Sequence, residues 1–401
     1  MASVTSTPVP TPLVTSSFAK QIRANLQTYG LIAALILISL FFAYMTHGVF
    51  LNARNISNLF RQMTVTAFLS VGMVLVIVTG NIDLSVGKLA GFVSVVAAVF
   101  QAQIWPQLLP NQELLTTVLT VIISLGVGVL VGVIQGYIIA YLRVPAFIVT
   151  LGGLWVFTSL ILIVTQGKTI PANQPIMSQI AQAYLPNDLG WLLAALVVVF
   201  LVVNMVLNRQ RKTRYGFALA PIYLDVARTA FFAAIVLAYV YIVNQYNGVQ
   251  LPVLLLAVVA MVMTYVSNNT RFGRYAYAIG GNREAARLSG VNIKRNIFTI
   301  FVIMGGLCGV AGVVLASYVG YGTTAAGQGY ELDAIAACIL GGTSTLGGEG
   351  TIIGAMVGAL IMGSLTNGLQ LLNSPTEWQY LIKGAVLILA VYADVRLRRN
   401  R

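Results

Sequence analysis

Apolar stretches recur along the chain at about 29–46, 62–80, 85–104, 115–142, 146–166, 189–207, 228–246, 251–267, 296–319, 331–345, 351–372 and 378–394. Most match the roughly 20 helical residues that cross the hydrocarbon core of a bilayer. Charge is too scarce for a soluble surface. Asp, Glu, Lys and Arg make up 8% of the 401 residues, hydrophobic residues 58%, and mean hydropathy is +0.87, where a soluble domain carries roughly 25% charge. The sequence predicts an all-α polytopic membrane protein of about 12 transmembrane segments, with ten as the alternative count and some segments discontinuous. Twelve crossings use roughly 240 residues, which leaves short loops and excludes large extramembrane domains.

The formal charge is +13. In a soluble chain this would point to nucleic acid; here no nucleic-acid partner is expected, because basic residues retained on cytoplasmic loops account for it. With an inside N-terminus, 18 of the 23 Lys and Arg fall in cytoplasmic segments, among them Arg143, Arg209, Arg283, Arg287, Lys294 and Arg396. Arg54, Arg61 and Lys168 fall outside, and Lys88 and Lys383 within spans. Both termini are therefore expected in the cytoplasm. Residues 1–28 read as a disordered tail without a signal-peptide core, 29–395 as a single transmembrane domain and 396–401 as a basic tail. Cys308 and Cys338 read as small buried hydrophobes, and with His47 the only histidine no metal site is expected.

Two stretches are poor ordinary spans. Gly80-Asn81-Ile82-Asp83-Leu84-Ser85-Val86-Gly87 interrupts an apolar run, and the stretch from Glu331 to Thr345 is short, opens with two acids and ends among glycines. Interruptions of this kind point to half-helices near the midplane, where unwound backbone survives only if it is buried in protein or lines water. An acid at the bilayer centre costs roughly 2.5–3.5 kcal/mol on insertion scales, so Asn81, Asp83, Ser85, Glu331 and Asp333 are candidates to line a path. Capping fits the acids equally: Asp83 before a helix starting near Leu84, Glu331 and Asp333 in a first turn. The two roles are compatible, and Lys88 is a candidate charge partner for Asp83. Gly128, Gly132 and Gly136, and again Gly354 and Gly358, recur at four-residue spacing; tight packing within the chain is expected ahead of a dimer seam.

The basic loop from Asn268 to Asn296 contains Gly281-Asn282-Arg283-Glu284-Ala285-Ala286-Arg287-Leu288-Ser289-Gly290. Asn282 can cap, Glu284 suits the positive helix start and Gly290 the residue past its end, so a two-turn helix is expected outside the membrane. Ala285, Ala286 and Leu288 would form a narrow apolar ridge suited to another protein's groove; a helix lying in lipid headgroups is the plain alternative. Zinc-protease, nucleophile-elbow and Walker signatures are missing, so no catalytic residue and no bound cofactor is expected.

Glu284-Ala285-Ala286, followed after three residues by Gly290, resembles the signature by which ABC importer permeases engage their ATPase. Thr270 to Asn282, Gly80 to Gly87 and Gly329 to Gly348 are similar to the corresponding stretches of ribose/xylose/galactose-type permeases, in the same order, over about 55–395. Two further spans separate Thr213-Arg214-Tyr215-Gly216 from Thr270-Arg271-Phe272-Gly273, a length that resembles the xylose branch and marks 209–267 as an inserted loop plus helix pair. The resemblance implies a permease subunit in a prokaryotic plasma (inner) membrane that imports a monosaccharide, a pentose such as xylose. It also implies a second permease copy, an ABC ATPase subunit carrying ATP and Mg, and an extracytoplasmic sugar-binding protein that sets most of the selectivity. Asn282, Glu284, Ala285, Ala286, Leu288 and Gly290 would then form the ATPase-coupling helix. Two rival readings are an ion- or proton-coupled secondary sugar carrier, with Asp83, Glu331 and Asp333 as coupling carboxylates, and a scaffold subunit that docks without conducting.

Overall fold

A computed structural model of the chain describes residues 26–399 apart from 173, 218 and 220. Its helices are α1 (Leu26–Met45), α2 (Ala53–Val78), α3 (Val86–Val99), α4 (Trp105–Leu108), α5 (Glu113–Ala140), α6 (Ala146–Thr165), α7 (Pro175–Gln182) and α8 (Asn187–Arg214). There follow α9 (Ile222–Asn244), α10 (Leu251–Asn269), α11 (Arg271–Gly281), α12 (Arg283–Leu288), α13 (Ile293–Val319), α14 (Tyr330–Leu340), α15 (Ile352–Leu371) and α16 (Thr376–Arg399). A π-helical turn over Phe100–Ile104 joins α3 and α4 into one rod. Two-residue strands β1 (Ile170–Pro171) and β2 (Tyr321–Gly322) pair antiparallel, Ile170 opposite Gly322.

Among the described residues nine helices are long and apolar enough to cross a membrane. The three remaining segments of the expected twelve differ in kind. Helix α1 is apolar over Gly30–Met45, α16 is a 24-residue helix with charged ends, and α14 has 11 residues, about 16 Å of rise. That is half of the roughly 30 Å hydrocarbon core, so the stretch at 331–345 is a half-helix and not a span. The expected tail over 1–28 lies outside the described residues up to residue 25, and α1 already begins at Leu26; of the basic tail, α16 takes in Arg396 to Arg399.

Helix α2 lies at the centre, with 89% of its most apolar window buried, whereas α8 and α9 are 11% buried and pack mainly on each other. Their outward Val, Leu and Phe side chains are placed to meet lipid. Hydrophobic burial cannot draw helices together inside a bilayer, so close contact has to come from small residues. Helices α5 and α13 meet in this way: a Cβ on Gly128 would strike the carbonyl oxygen of Gly305, one on Gly305 would strike that of Gly128, and one on Gly132 would strike that of Phe301. Gly354 and Gly358 of α15 lie likewise on the carbonyls of Gly341 and Ala337. Both glycine series are therefore spent on packing within the chain.

Helix starts follow the expected cap chemistry. Asn52 accepts from the Arg54 amide at 3.1 Å, Thr270 from Gly273 at 3.2 Å, Asn292 from Arg295 at 3.0 Å and Thr351 from Gly354 at 3.0 Å. One end of the bundle gathers Arg143, Arg283, Arg287 and Lys294 around a shared cavity and is called the basic face below. At the opposite end Asn55 Nδ2 donates to Asn367 Oδ1 at 2.8 Å, joining α2 to α15.

The contact between α5 and α13 gives a prediction. Overpacking such a site costs about 1–3 kcal/mol, so Gly305→Leu should lower the melting temperature of the detergent-purified protein. Gly126→Leu, at a position with nothing within 4 Å, should leave it unchanged. Equal melting temperatures for the two variants would sink this account of the packing.

Candidate functional site

The first interruption runs from Thr79 to Ser85, between α2 and α3. Gly80 takes φ +76°, and Asn81 turns its amide back onto Thr79 Oγ1 at 3.0 Å. Asp83, 2% exposed, accepts from the Ser85 amide at 2.8 Å and from Ser85 Oγ at 2.7 Å. This side-chain turn feeds the chain into a helix that starts at Val86 and not near Leu84. Gln135 of α5 completes the group by donating to Ser85 Oγ at 3.0 Å. Sequence reasoning missed Gln135; the available signal was a lone amide side chain in a 28-residue apolar helix.

The second interruption is longer. After α13, residues 320–329 run alongside α3 without helix, with Gly327 pressed against the backbone of Gly87 and Gly91, before α14 begins at Tyr330. A Cβ on Gly87 would strike Glu331 Oε2. Glu331 Oε2 is buried without a hydrogen-bond partner among the described residues. The expected Lys88–Asp83 pair does not form. Lys88 Nζ lies 3.4 Å from the Ala326 carbonyl and interacts electrostatically with Glu331, because α3 carries it toward α14 while Asp83 is held in its own turn. Asp333 pairs with Lys383 of α16 at 2.8 Å.

The five candidates for the path thus separate into three groups: Asn81 with Asp83 and Ser85, Glu331 beside Gly87 and Lys88, and Asp333 with Lys383. Two cavities flank them. At the basic face a cavity of about 910 Å³ is lined by Gly80, Asn81, Arg143, Arg283, Arg287 and Lys294, among others. Toward the opposite face a cavity of about 380 Å³ reaches Ala326 and Gly327 and includes Asp333, Lys383, Tyr330 and Gln379. Asp83, Ser85 and Glu331 line neither cavity. They belong to the short stretch of protein between the two, where α3 starts against residues 326–331. Lys383 was visible in the sequence as a charge inside a span; its partner was not.

The basic loop folds as two helices. In α12, Asn282 Oδ1 accepts from the Ala285 amide at 2.9 Å, and Gly290 takes φ +83° while its amide donates to the Arg287 carbonyl at 3.0 Å. Ala286 is buried at 5% and Leu288 is exposed at 74%. Glu284 and Arg287 are exposed and paired, with Arg287 Nε donating to Glu284 Oε2 at 3.0 Å and Nη2 to Oε1; the Arg287 hydrogen bond holds the Glu284 carboxyl below its ordinary value, so it stays ionised through the neutral range. Asp225 of the continuous helix α9 is paired with Arg209 of α8. Behind α12, α11 reaches the first interruption and the loop that follows α14. Gly280 is pressed on the carbonyl of Val78 and lies close to the Gly348 amide, which itself donates to Val78 at 2.8 Å, and Tyr277 Oη donates to the Gly350 carbonyl at 2.9 Å.

With the fold and these groups in view, comparison with known proteins becomes informative. A family model described as the permease component of branched-chain amino acid transport systems matches residues 55–235 and 224–391. The xylose transport system permease protein of Escherichia coli (strain K12) is 43% identical over 377 residues, covering 94% of this chain and 93% of its own. The xylose permease of Haemophilus influenzae is 41% identical, covering 94% and 98%, and the ribose import permease of E. coli 30%, covering 91% and 92%. No solved structure matches the chain. The chain belongs to the permease family of ABC transport systems, as a non-catalytic membrane component on its xylose-type sugar branch.

Proposed function

We propose that this chain is the membrane-spanning subunit of an ATP-driven, binding-protein-dependent importer of a monosaccharide, a pentose such as xylose, in a bacterial plasma (inner) membrane. Identity above 40% over almost the whole length to two xylose permeases supports the substrate. The family model's description names amino acid transport, whereas the full-length relatives are named for sugars. Two copies would form the complex, with ATP and Mg on two ATPase subunits at the basic face and a sugar-binding protein at the other. The basic face is then cytoplasmic, as are both termini, and 209–267 is the insertion that lengthens the chain.

The observation that carries the mechanism is α12, a capped helix that projects from the basic face with Leu288, Glu284 and Ala285 free to enter a partner's groove while Ala286 faces its own chain. Movement of the ATPases would push α12, and α11 would carry the push to Val78, where the first interruption begins, and to Gly348 in the loop after α14. Asp83 then serves as the side-chain turn that fixes the entry to α3, and Glu331 and Lys88 as opposite charges facing each other between α14 and α3.

The reading generates three expectations. Import should stop when the ATPase subunit is deleted and persist when the proton gradient is collapsed; the reverse pattern would make the protein a secondary carrier. Gly290→Pro, which forces φ from +83° to about −65°, and Glu284→Lys should each cut import at least tenfold with membrane insertion unchanged, and normal uptake would remove α12 from the coupling role. Asp83→Ala loses both bonds to Ser85, about 1–2 kcal/mol of local order. Uptake should fall more than the amount of inserted protein, and unchanged uptake would make the turn dispensable.

A further inference from the structure

The cavity of about 380 Å³ on the face away from α12 has a lining that the transport reading leaves unused. Its volume is within the range of small-molecule sites, and its chemistry is specific. The single acid and the single base in its wall, Asp333 and Lys383, neutralise each other at 2.8 Å, so the cavity offers no net charge to an ionic ligand. Around them stand neutral hydrogen-bonding groups whose capacity the protein leaves open. Among the described residues the hydroxyls of Tyr318, Tyr330 and Tyr380 have no hydrogen-bond partner. Gln370 is engaged through its oxygen alone, at 3.4 Å from Gln62, and Gln379 through its nitrogen alone, at 2.9 Å from the Ser374 carbonyl. Each amide therefore keeps one end free: a donor on Gln370 and an acceptor on Gln379. Tyrosine adds an apolar ring face beside its hydroxyl. Free donors and acceptors together, ring faces and no net charge match a molecule that has many hydroxyls, exposed C–H faces and no charge.

We propose that this cavity is a low-affinity binding site for one uncharged polyhydroxylated molecule of pentose size, held by the Gln370 and Gln379 amides and the hydroxyls of Tyr318, Tyr330 and Tyr380. The inference rests on the transport reading for its place in a path and adds to it a second selectivity filter inside the permease. The floor of the cavity is Ala326 and Gly327, the residues pressed against Gly87 and Gly91, so the bound molecule waits above the contact that must part for it to pass. A site on a conduction route has to release what it binds. Affinity in the millimolar range is therefore expected.

The test uses the full chain in phosphatidylcholine nanodiscs, without ATPase or binding protein, and saturation-transfer NMR with D-xylose as the probe and D-xylonate as its charged counterpart. Wild-type protein should transfer saturation to xylose in a saturable way and not to xylonate. Tyr330→Phe, which removes one hydroxyl and keeps the ring, and Gln379→Leu should each reduce the transfer at least fivefold. Absence of transfer in the wild type, or transfer undiminished from the wild-type level in both variants, overturns the site. ATP-dependent import by the assembled complex separates the two readings: wild-type import with no NMR signal sinks the cavity and leaves the permease assignment standing.

Discussion

Everything in this fold depends on the need to satisfy the backbone where no water can do it. A helix meets that need by itself, which is why most of the chain is helical, and each departure has to be met by a neighbour. At the first interruption the Gly80 and Asn81 amides return to the carbonyls of Ile77 and Val76 at 2.8 and 3.2 Å, Asp83 takes the Ser85 amide, and the Val78 carbonyl is met by Gly348 from the far end of the sequence. At the second, Ala172 donates to the Gly320 carbonyl at 2.7 Å, β1 pairs with β2, and Lys88 reaches the Ala326 carbonyl. The two interruptions are thus fixed partly by each other and partly by elements distant in sequence.

Glycine makes that mutual support possible. Backbone can approach backbone at Gly87, Gly91 and Gly327 because no Cβ stands between them, and the resulting contact is held by many weak dispersion terms and few directional bonds. Such a contact excludes water while intact. It also contains little that has to be rebuilt if α3 and the 326–331 segment separate. The glycine contacts between α5 and α13 use the same device, but there helix packs along helix over several turns, which suits a fixed scaffold.

What could be read from the sequence follows from this difference between local and distant satisfaction. The spans, the half-helix at α14 and the cap and turn of α12 are specified by nearby residues: apolar run length, Asn282 three residues before Ala285, Gly290 at a positive φ. The expected Asp83 cap does not form: the helix starts two residues later, at Val86, with Ser85 in the cap position, because Asp83 closes a side-chain turn over Leu84 and Ser85. Where the membrane charges would end up was not legible. Lys88 lies five positions from Asp83 yet faces Glu331, and Asp333 finds Lys383 fifty residues away, because the direction in which a helix carries a side chain depends on how helices are arranged around it. The neutral lining of the smaller cavity was hidden for a further reason: a Gln or Tyr within an apolar helix resembles ordinary interfacial decoration until four helices bring several of them together.

The same geometry explains how a push at the surface could reach the interior without a long chain of intermediates. Coupling requires a physical element whose arrangement both sites bias. Helix α11 qualifies by contact: Asn282 ends it and caps α12, while Gly280 and Tyr277 press on Val78, Gly348 and Gly350. Val78 ends α2 and opens the first interruption; Gly348 and Gly350 close the loop that follows α14. Displacement of α11 would therefore act on the first interruption and on the loop after α14 at once, and the Gly348–Val78 hydrogen bond ensures that they respond together. A side chain at Gly280 would collide with that bond, so the joint has to be glycine. The cap of the helix that a partner can touch, Asn282, and the residue that presses on the non-helical part of the membrane domain, Gly280, are two residues apart in sequence, and that proximity makes the short helix α12 an effective lever.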